Sequence, residues 1–329
     1  MGSIGLRTTS ALLAAAISAA GLSACSSADT AGDDDALSVG VFLPGSINDT
    51  GFMQSGFLGY QRIVEKYGDQ VDVSYVEQVA AADYQQALQR FASQNDLVIS
   101  VGGQTDADVR KIAPQFPEVE FVEIGGPSDA EPMSNLAYYD PQQAEAEFLS
   151  GAAAAALSQT GTVGFIGGVE LPAIVNAAKA FGNGARFTRE DVTVLAPQYV
   201  GDFNDPAKAK QAAGTAYAGG ADVLGQIVNL GKQGMEQAAA ESGNRMIGGP
   251  IPGECAGVYG GFVRTDIGTE IEYAVSSTLE GSWAAEQVPF GVTTDKGGSD
   301  FVVCSDNPAV AAAVEKAEAA IIAGSITPY

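Results

Sequence analysis

The sequence of 329 residues contains no histidine. This absence removes the commonest general base and the usual imidazole metal ligand, which excludes Ser-His-Asp and Cys-His hydrolases and most zinc enzymes. Basic residues are also scarce, with 16 lysines and arginines against 40 aspartates and glutamates, a net charge of −24. Without any run of four basic residues, the chain is unsuited to bind nucleic acid or an anionic membrane surface.

Motifs for cofactor and metal chemistry are missing as well. Gly167-Gly168 follows a predicted strand, but neither the dinucleotide-binding glycine pattern nor a phosphate-binding Gly-Lys-Ser/Thr accompanies it. No calcium-binding loop occurs, and the run Asp33 to Asp35 is explained by a solvated linker. Since no pair of base and nucleophile is recognisable either, we expect no cofactor, no metal and no enzymatic activity.

The N-terminal segment is typical of an exported lipoprotein. Arg7 precedes an apolar run of about 12 residues, too short for a membrane span of about 20. The run ends in Leu22-Ser23-Ala24-Cys25, which fits the bacterial lipobox, although a chance cysteine behind a signal peptide is the alternative. The pattern predicts a signal peptide at 1–24, a lipid on Cys25 and a flexible acidic tether at 25–36. We expect the chain on the extracytoplasmic face of the cell membrane.

Two further cysteines remain, Cys255 and Cys304. In an exported protein such a pair favours a disulfide over two buried free thiols. Because a disulfide needs Cα atoms within about 7 Å, the sequence leaves both possibilities open.

Short β-type runs alternate with helical patterns along the rest of the chain. Strands are predicted at 37–43, 71–76, 96–101, 120–124, 162–166, 192–199, 223–227 and 245–247, and helices at 51–67, 84–94, 106–116, 142–158, 173–187, 206–217 and 232–242. Strands separated by single helices indicate parallel sheets with right-handed crossovers. The alternation restarts after Asp140-Pro141, so the predicted fold class is α/β with two successive lobes.

The loop from Pro44 to Ser55 is the most informative stretch. Phe52 lies just off the apolar stripe of the following helix, at the carboxyl end of a strand, where α/β sheets present ligand-facing side chains. An additional core aromatic is the alternative for Phe52, and simple helix capping is the alternative for Asn48 and Asp49.

The segment Ile47-Asn48-Asp49-Thr50-Gly51-Phe52-Met53-Gln54-Ser55 resembles the Ile-Asp-Asp-Lys-Ser-Phe-Asn-Gln-Ser signature of the basic membrane protein family of lipoproteins. These are substrate-binding components of ABC importers, typified by purine-nucleoside receptors. The similarity continues at 161–174, 199–206, 220–224, 237–243 and 323–326.

This resemblance implies a type I periplasmic-binding-protein fold, with two Rossmann-like lobes of parallel sheet joined by a hinge and a ligand in the cleft. Lobe 1 is expected at 37–140 plus about 265–295, and lobe 2 at 141–264 plus about 296–329. The expected partners are a nucleoside or purine-like small molecule and an ABC permease. We expect no nucleic acid partner, and a monomer.

The resemblance also implies a purine stacked between Phe52 and Phe203. The candidate ligand-binding residues are Asn48, Asp49, Phe52, Met53, Gln54, Asp106, Phe203 and Arg264. Asp106 matches an acidic position that reads the base, with capping of the following helix as the alternative, and Arg264 lies near a lysine that contacts ribose.

The sequence departs from the family pattern at two polar positions. Met53 replaces an asparagine, and Pro250 stands where the family has an aspartate that binds ribose. A free purine, a modified nucleoside or an unrelated aromatic solute is therefore an alternative ligand, and Glu254 is a hypothetical replacement for the missing acid. The leading hypothesis is a lipid-anchored solute-binding protein of an ABC importer. A ligand-sensing receptor or surface adhesin, and a nucleoside-cleaving enzyme, are the competing functions.

Overall fold

The computed structural model describes residues 36–329. The predicted signal peptide, Cys25 and the tether up to residue 35 lie outside the described residues. Within 36–329, no helix combines the length and the apolar character that crossing a bilayer requires.

Strands and helices alternate along the described chain. The strands are β1 (Leu37–Leu43), β2 (Val71–Glu77), β3 (Leu97–Val101), β4 (Glu120–Ile124), β5 (Leu136–Asp140), β6 (Thr162–Gly167), β7 (Thr193–Val194), β8 (Gln198–Tyr199), β9 (Val223–Ile227), β10 (Arg245–Gly248), β11 (Tyr259–Thr265), β12 (Gln287–Pro289) and β13 (Ser299–Val303). The helices are α1 (Phe52–Tyr67), α2 (Tyr84–Ala92), α3 (Asp106–Ile112), α4 (Gln143–Leu157), α5 (Pro172–Thr188), α6 (Pro206–Ala218), α7 (Lys232–Ser242), α8 (Ile267–Leu279) and α9 (Pro308–Ile322).

The first sheet has the strand order β12-β5-β4-β3-β1-β2, and all its pairings are parallel. Every residue of the central strand β3 is buried, as expected for a parallel strand covered by helices on both faces. In β1, Val41 and Leu43 pack into one core cluster while Phe42 packs into another, because successive side chains point to opposite faces. We call this sheet with α1, α2, α3 and α8 the first lobe.

The second sheet has the order β13-β11-β10-β9-β6-β7, with β8 also paired to β6. Its pairings are parallel except that β13 runs antiparallel to β11. This sheet with α4, α5, α6, α7 and α9 is the second lobe.

The chain passes between the two sheets three times. It crosses from β5 to α4, returns from β11 to α8, and crosses again from β12 to β13. The first two crossings bring the ends of β5 and β11 close to the cleft, which places the start of α4 and Thr265 beside the site described below.

Most predicted elements of the alternating pattern are present, with differences at the edges of the sheets. The single strand predicted at 192–199 is instead the two short strands β7 and β8, separated by Leu195-Ala196-Pro197. Proline supplies no N–H for a sheet ladder, which accounts for the interruption. The sequence pattern also missed β5 and the elements from β11 to α9. The lobe boundaries given above for the sequence stay a prediction.

Helix α4 is packed tightly against α5. A Cβ atom at Gly151 would collide with the carbonyl oxygen of Phe181, and one at Gly184 would collide with the carbonyl oxygen of Phe148. Glycine at both positions lets the two backbones approach closely. This contact holds α4, and with it the side chains of its first two turns, in a defined position.

Candidate functional site

The loop between β1 and α1 is organised by Asp49, whose side chain is fully buried. One carboxylate oxygen accepts hydrogen bonds from the backbone N–H groups of Gly51 at 2.8 Å and Gln54 at 3.0 Å, and the other from that of Met53 at 3.3 Å. The carboxylate therefore caps the start of α1. Burial raises the pKa of Asp49, an effect that these backbone donors oppose.

The same loop is tied to the second lobe by two side chains of the β9–α7 region. Asn229 donates from Nδ2 to Oδ2 of Asp49 at 2.8 Å. Lys232 donates from Nζ to the carbonyl oxygens of Thr50 at 2.7 Å and Gly249 at 3.2 Å. Burial lowers the pKa of Lys232. We call these bonds of Asn229 and Lys232 to the first lobe the interlobe contact.

Phe52 and Phe203 line one cavity in the cleft, and they come from different lobes. Glycines beneath them make room for the rings: Phe52 lies against Gly125 at the end of β4, and Phe203 lies against Gly168 at the end of β6. We call this the aromatic cavity. Its lining comprises Phe52, Gly102, Gly103, Gln104, Gly125, Gln143, Leu171, Ala173, Ile174, Phe203 and Ile227.

A second cavity adjoins the first and shares Phe52, Gln143 and Ile227 with it. We call it the polar cavity, because Glu147 and Thr265 bring polar groups into it. Its remaining lining residues are Gln226, Val228, Asn229, Gly249, Pro250 and Val263. Within the lining, Gln226 is held by its own bonds, since its Oε1 accepts from the N–H of Val228 at 2.9 Å.

Both cavities are narrow while the lobes are in contact, with volumes of about 50 Å³ for the aromatic cavity and about 20 Å³ for the polar cavity. Sites for small molecules usually have volumes of roughly 300–1,000 Å³. A ligand of that size requires the lobes to separate before it enters, which the three crossings between the sheets allow as a hinge.

Several residues singled out from the sequence lie outside both cavities. Met53 is 4% exposed and belongs to the core of the first lobe, where it packs against Gly45. Asn48 is exposed, and Gln54 is half-buried and donates its backbone N–H to Asp49. Asp49 thus has the capping role that the sequence analysis held as the alternative for it.

The other two charged candidates, Asp106 and Arg264, make contacts outside the cavities. Asp106 accepts a hydrogen bond at 2.7 Å from the hydroxyl of Tyr138, which in turn accepts one from Arg110. Arg264 projects from β11 to the exposed side and forms an ion pair with Asp300. Its neighbours Val263 and Thr265 are the residues of β11 that face the polar cavity, because adjacent side chains of a strand point to opposite faces.

Cys255 and Cys304 form a disulfide with Cα atoms 5.0 Å apart. It ties the loop after β10 to the end of β13. Glu254 beside it is exposed and does not line either cavity, so the hypothesis that Glu254 replaces the missing acid is not supported by its position.

A family model described as "ABC transporter substrate-binding protein PnrA-like" matches residues 36–249, about two thirds of the chain. The chain belongs to this family, Bmp. The resemblance noted in the sequence is therefore confirmed. The Bmp family consists of substrate-binding proteins and not of enzymes, and the match ends just before Pro250.

Several named proteins are similar to the chain at low identity. Basic membrane protein A2 of Borrelia garinii is 28% identical over 64% of this chain and 62% of its own length. A purine-binding protein of Brucella abortus is 30% identical over 59% and 55%. The chain thus spans about three fifths of the length of these two relatives. The nucleoside-binding protein BmpA of Lactococcus lactis is 26% identical over 85% of both chains.

Solved structures share the fold. A solute-binding protein of an ABC transporter from Aeropyrum pernix K1 is similar with a TM-score of 0.75 and 20% identity, covering 88% of this chain and 92% of that one. Another from Conexibacter woesei has a TM-score of 0.70 and 20% identity, covering 89% and 98%. At this identity the likeness shows the fold alone, and it confirms the predicted α/β class with the type I periplasmic-binding-protein architecture.

Sequence reasoning missed the polar residues of the Bmp cleft: Gln143, Glu147, Asn229, Lys232 and Thr265. For Glu147 a signal was present, because it lies with Glu145 in a helix whose residues from Ala144 to Ala155 are all buried and otherwise mostly apolar. A carboxylate in such a helix is unusual unless it is paired or functional. The others lie near the ends of strands and helices. Whether their side chains point into the cleft depends on how the two lobes meet.

Proposed function

We propose that this chain is a lipid-anchored, extracytoplasmic solute-binding protein of an ABC importer that closes its two lobes on a purine nucleoside or purine-like ligand. In this proposal Cys25 carries the lipid, an ABC permease receives the ligand, and the chain acts as a monomer.

The observation that carries the proposal is the placement of Phe52 and Phe203 on one cavity, one from each lobe. A flat aromatic ligand between the two rings would touch both lobes, so its binding would favour the closed state. Stacking of a base on an aromatic ring contributes about 1–3 kcal/mol. Two such contacts would supply a large part of the roughly 8 kcal/mol that corresponds to micromolar affinity.

The names of two relatives support the same ligand class. The Brucella abortus relative is named a purine-binding protein, and the Lactococcus lactis relative is named a nucleoside-binding protein.

Calorimetric titration of the full chain in detergent with purine bases, purine nucleosides, pyrimidine nucleosides, sugars and aromatic acids tests the ligand class. We expect purine compounds to bind, and Phe52→Ala and Phe203→Ala each to weaken their binding by about 5- to 150-fold, as loss of one stacking contact predicts. Tyr75→Ala is the control, since Tyr75 is an aromatic residue of β2 outside both cavities. Binding of aromatic acids with no response to purines would refute the purine assignment and leave the non-purine alternative.

Transport and anchoring are tested in cells of the source species. Deletion of the gene should abolish uptake of the radiolabelled ligand, whereas unchanged uptake despite binding would favour the sensing or adhesin function. Labelling with an alkyne fatty acid should mark the wild-type chain and not Cys25→Ser. A label that persists in Cys25→Ser would refute the predicted anchor.

A further inference from the structure

Helix α4 brings a carboxyl group into the polar cavity from an otherwise apolar setting. Gln143 and Glu147 are four residues apart, so they lie on the same face of the helix, and both line the cavity. The helix is fixed in place by its close contact with α5 at Gly151. The position of Glu147 at the cleft is therefore a property of a rigid element and not of a loop.

Glu147 is 1% exposed, and its Oε2 atom has no hydrogen-bond partner among residues 36–329. The hydroxyl of Ser150, one turn later on α4, lowers the pKa of Glu147 but does not offset the effect of burial. None of the ion pairs within residues 36–329 includes it. Thr265 lines the same cavity, and its hydroxyl is likewise buried without a partner. Buried polar groups are usually hydrogen-bonded, so two unpaired groups on one cavity of the cleft are positions where a ligand can supply the missing partners.

The other buried carboxyl groups in the described chain either accept hydrogen bonds or lie away from both cavities. Glu145, two residues earlier on α4, accepts hydrogen bonds from the backbone N–H and the hydroxyl of Thr293. Glu123 accepts one from the hydroxyl of Thr105 at 3.0 Å. Glu270 has no partner for either oxygen, but it lines neither cavity. Glu147 combines the missing partner with a place on the cleft.

The charge around the polar cavity limits what can bind there. No lysine or arginine is among the described residues that line it. Lys232 lies nearby, but its Nζ atom is engaged with two carbonyl oxygens. Burial raises the pKa of Glu147 to about 8. A phosphate would find no cation in the cavity and would face a carboxyl group, whereas hydroxyl groups would find an acceptor in Glu147 and both a donor and an acceptor in Thr265.

We propose that Glu147, with Thr265 beside it, binds the hydroxyl groups of a sugar whose attached base lies between Phe52 and Phe203. This inference rests on the proposed function, because it takes the aromatic cavity as the base site. The two cavities adjoin at Phe52 and Gln143, so once the lobes separate, a ligand whose base lies on Phe52 can extend toward Glu147. The protein then selects nucleosides over free bases and over nucleotides, and Glu147 supplies an acid to the cavity that Pro250 also lines.

The test compares four ligands, adenosine, adenine, 2′,3′-dideoxyadenosine and AMP, by calorimetry on the full chain in detergent. The wild-type chain should bind adenosine at least tenfold more tightly than each of the other three. At pH 9, above the pKa of Glu147 of about 8, Glu147→Gln should weaken adenosine binding at least tenfold and change adenine binding by less than twofold. In that variant the preference for adenosine over the dideoxy compound should fall below threefold, which isolates the coupling between Glu147 and the hydroxyl groups.

Glu270→Gln is the matched control, because it removes a buried, unpartnered carboxyl group away from the cleft; it should leave the affinities within twofold. Unchanged adenosine binding by Glu147→Gln would overturn the inference while leaving purine binding intact, as would a wild-type chain that binds adenine as tightly as adenosine. A wild-type chain that binds no purine compound would refute the proposed function itself, and the inference with it. If Glu147→Gln does not fold, Thr265→Val and the comparison of the four ligands on the wild-type chain test the inference instead.

Discussion

Asn229 is the side chain whose removal should most directly disturb closure of the lobes. Its Nδ2 atom donates to Oδ2 of Asp49 at 2.8 Å, across the cleft from the first lobe. The substitution Asn229→Ala removes this donor and leaves a fully buried carboxylate with only its own backbone donors. When the lobes are apart, water can replace the lost donor, so the substitution weakens the closed state selectively.

The size of the effect follows from the type of bond. A hydrogen bond to a charged group contributes about 1.5–3 kcal/mol. Because ligand affinity depends on the free energy of closure, a loss of this size weakens binding by roughly 10- to 150-fold. Gly51→Ala should act in the same direction, since a Cβ atom at position 51 would collide with the side-chain amide of Asn229.

Calorimetry with a purine nucleoside measures the affinity, and small-angle X-ray scattering measures whether the ligand still compacts the chain. Asn183→Ala is the control, because Asn183 bonds the carbonyl oxygen of Pro328 on the second lobe away from the cleft. If Asn229→Ala bound the nucleoside as tightly as the wild type and compacted to the same extent, the interlobe contact would have no part in closure.

Three further predictions concern stability. Burial raises the pKa of Glu270 well above its ordinary value near 4.5, so the folded chain holds a proton that the unfolded chain releases, and stability falls as pH rises above about 4.5. Glu270→Gln should therefore raise the free energy of unfolding, measured in urea, more at pH 8 than at pH 5; an equal gain at both would contradict this. Replacing Cys255 and Cys304 by serine should lower stability by about 4 kcal/mol, from the chain-entropy relation for their separation of 49 residues, and insensitivity of the wild-type melting temperature to reductant would argue against it. Gly151→Ala should lower the free energy of unfolding by about 1–3 kcal/mol, because its Cβ atom would collide with α5. Gly214→Ala lies in open space on α6 and should raise the free energy of unfolding by about 0.5–1 kcal/mol. A change of the same sign in both variants would refute the packing argument.

The elements that the sequence predicted best are those whose pattern is local. The buried run of β3 and the apolar stripe of α1 are visible in the sequence, because parallel strands are apolar throughout and surface helices repeat every three to four residues. Strand β12 has only three residues and the pair β7 and β8 only two each. Such short edge strands exist because a neighbouring strand pairs with them, which no local pattern reveals.

In the candidate site, too, some residues can be recognised from local motifs, whereas the placement of others depends on the fold. Phe52 was singled out by its place after a strand end and Phe203 by the family resemblance, and both line the aromatic cavity. The assignment of ligand-binding residues stays a prediction, although Asp49 caps α1, Met53 packs into the core and Arg264 lies on the face of β11 opposite the polar cavity. One residue of strand register decides between Arg264 and Thr265, and the pairing of β11 with β10 and β13 sets that register.

The α/β class and the family are readable from the amino-acid sequence, because alternation of strands and helices and short motifs are local properties of the chain. Only the tertiary structure decided that Glu147 and Thr265 face the cleft without partners, that Asn229 bonds Asp49 across it, and that Cys255 meets Cys304. Each of these depends on segments far apart in the chain, and their meeting is set by how the sheets, the three crossings and the packing of α4 against α5 place them in space.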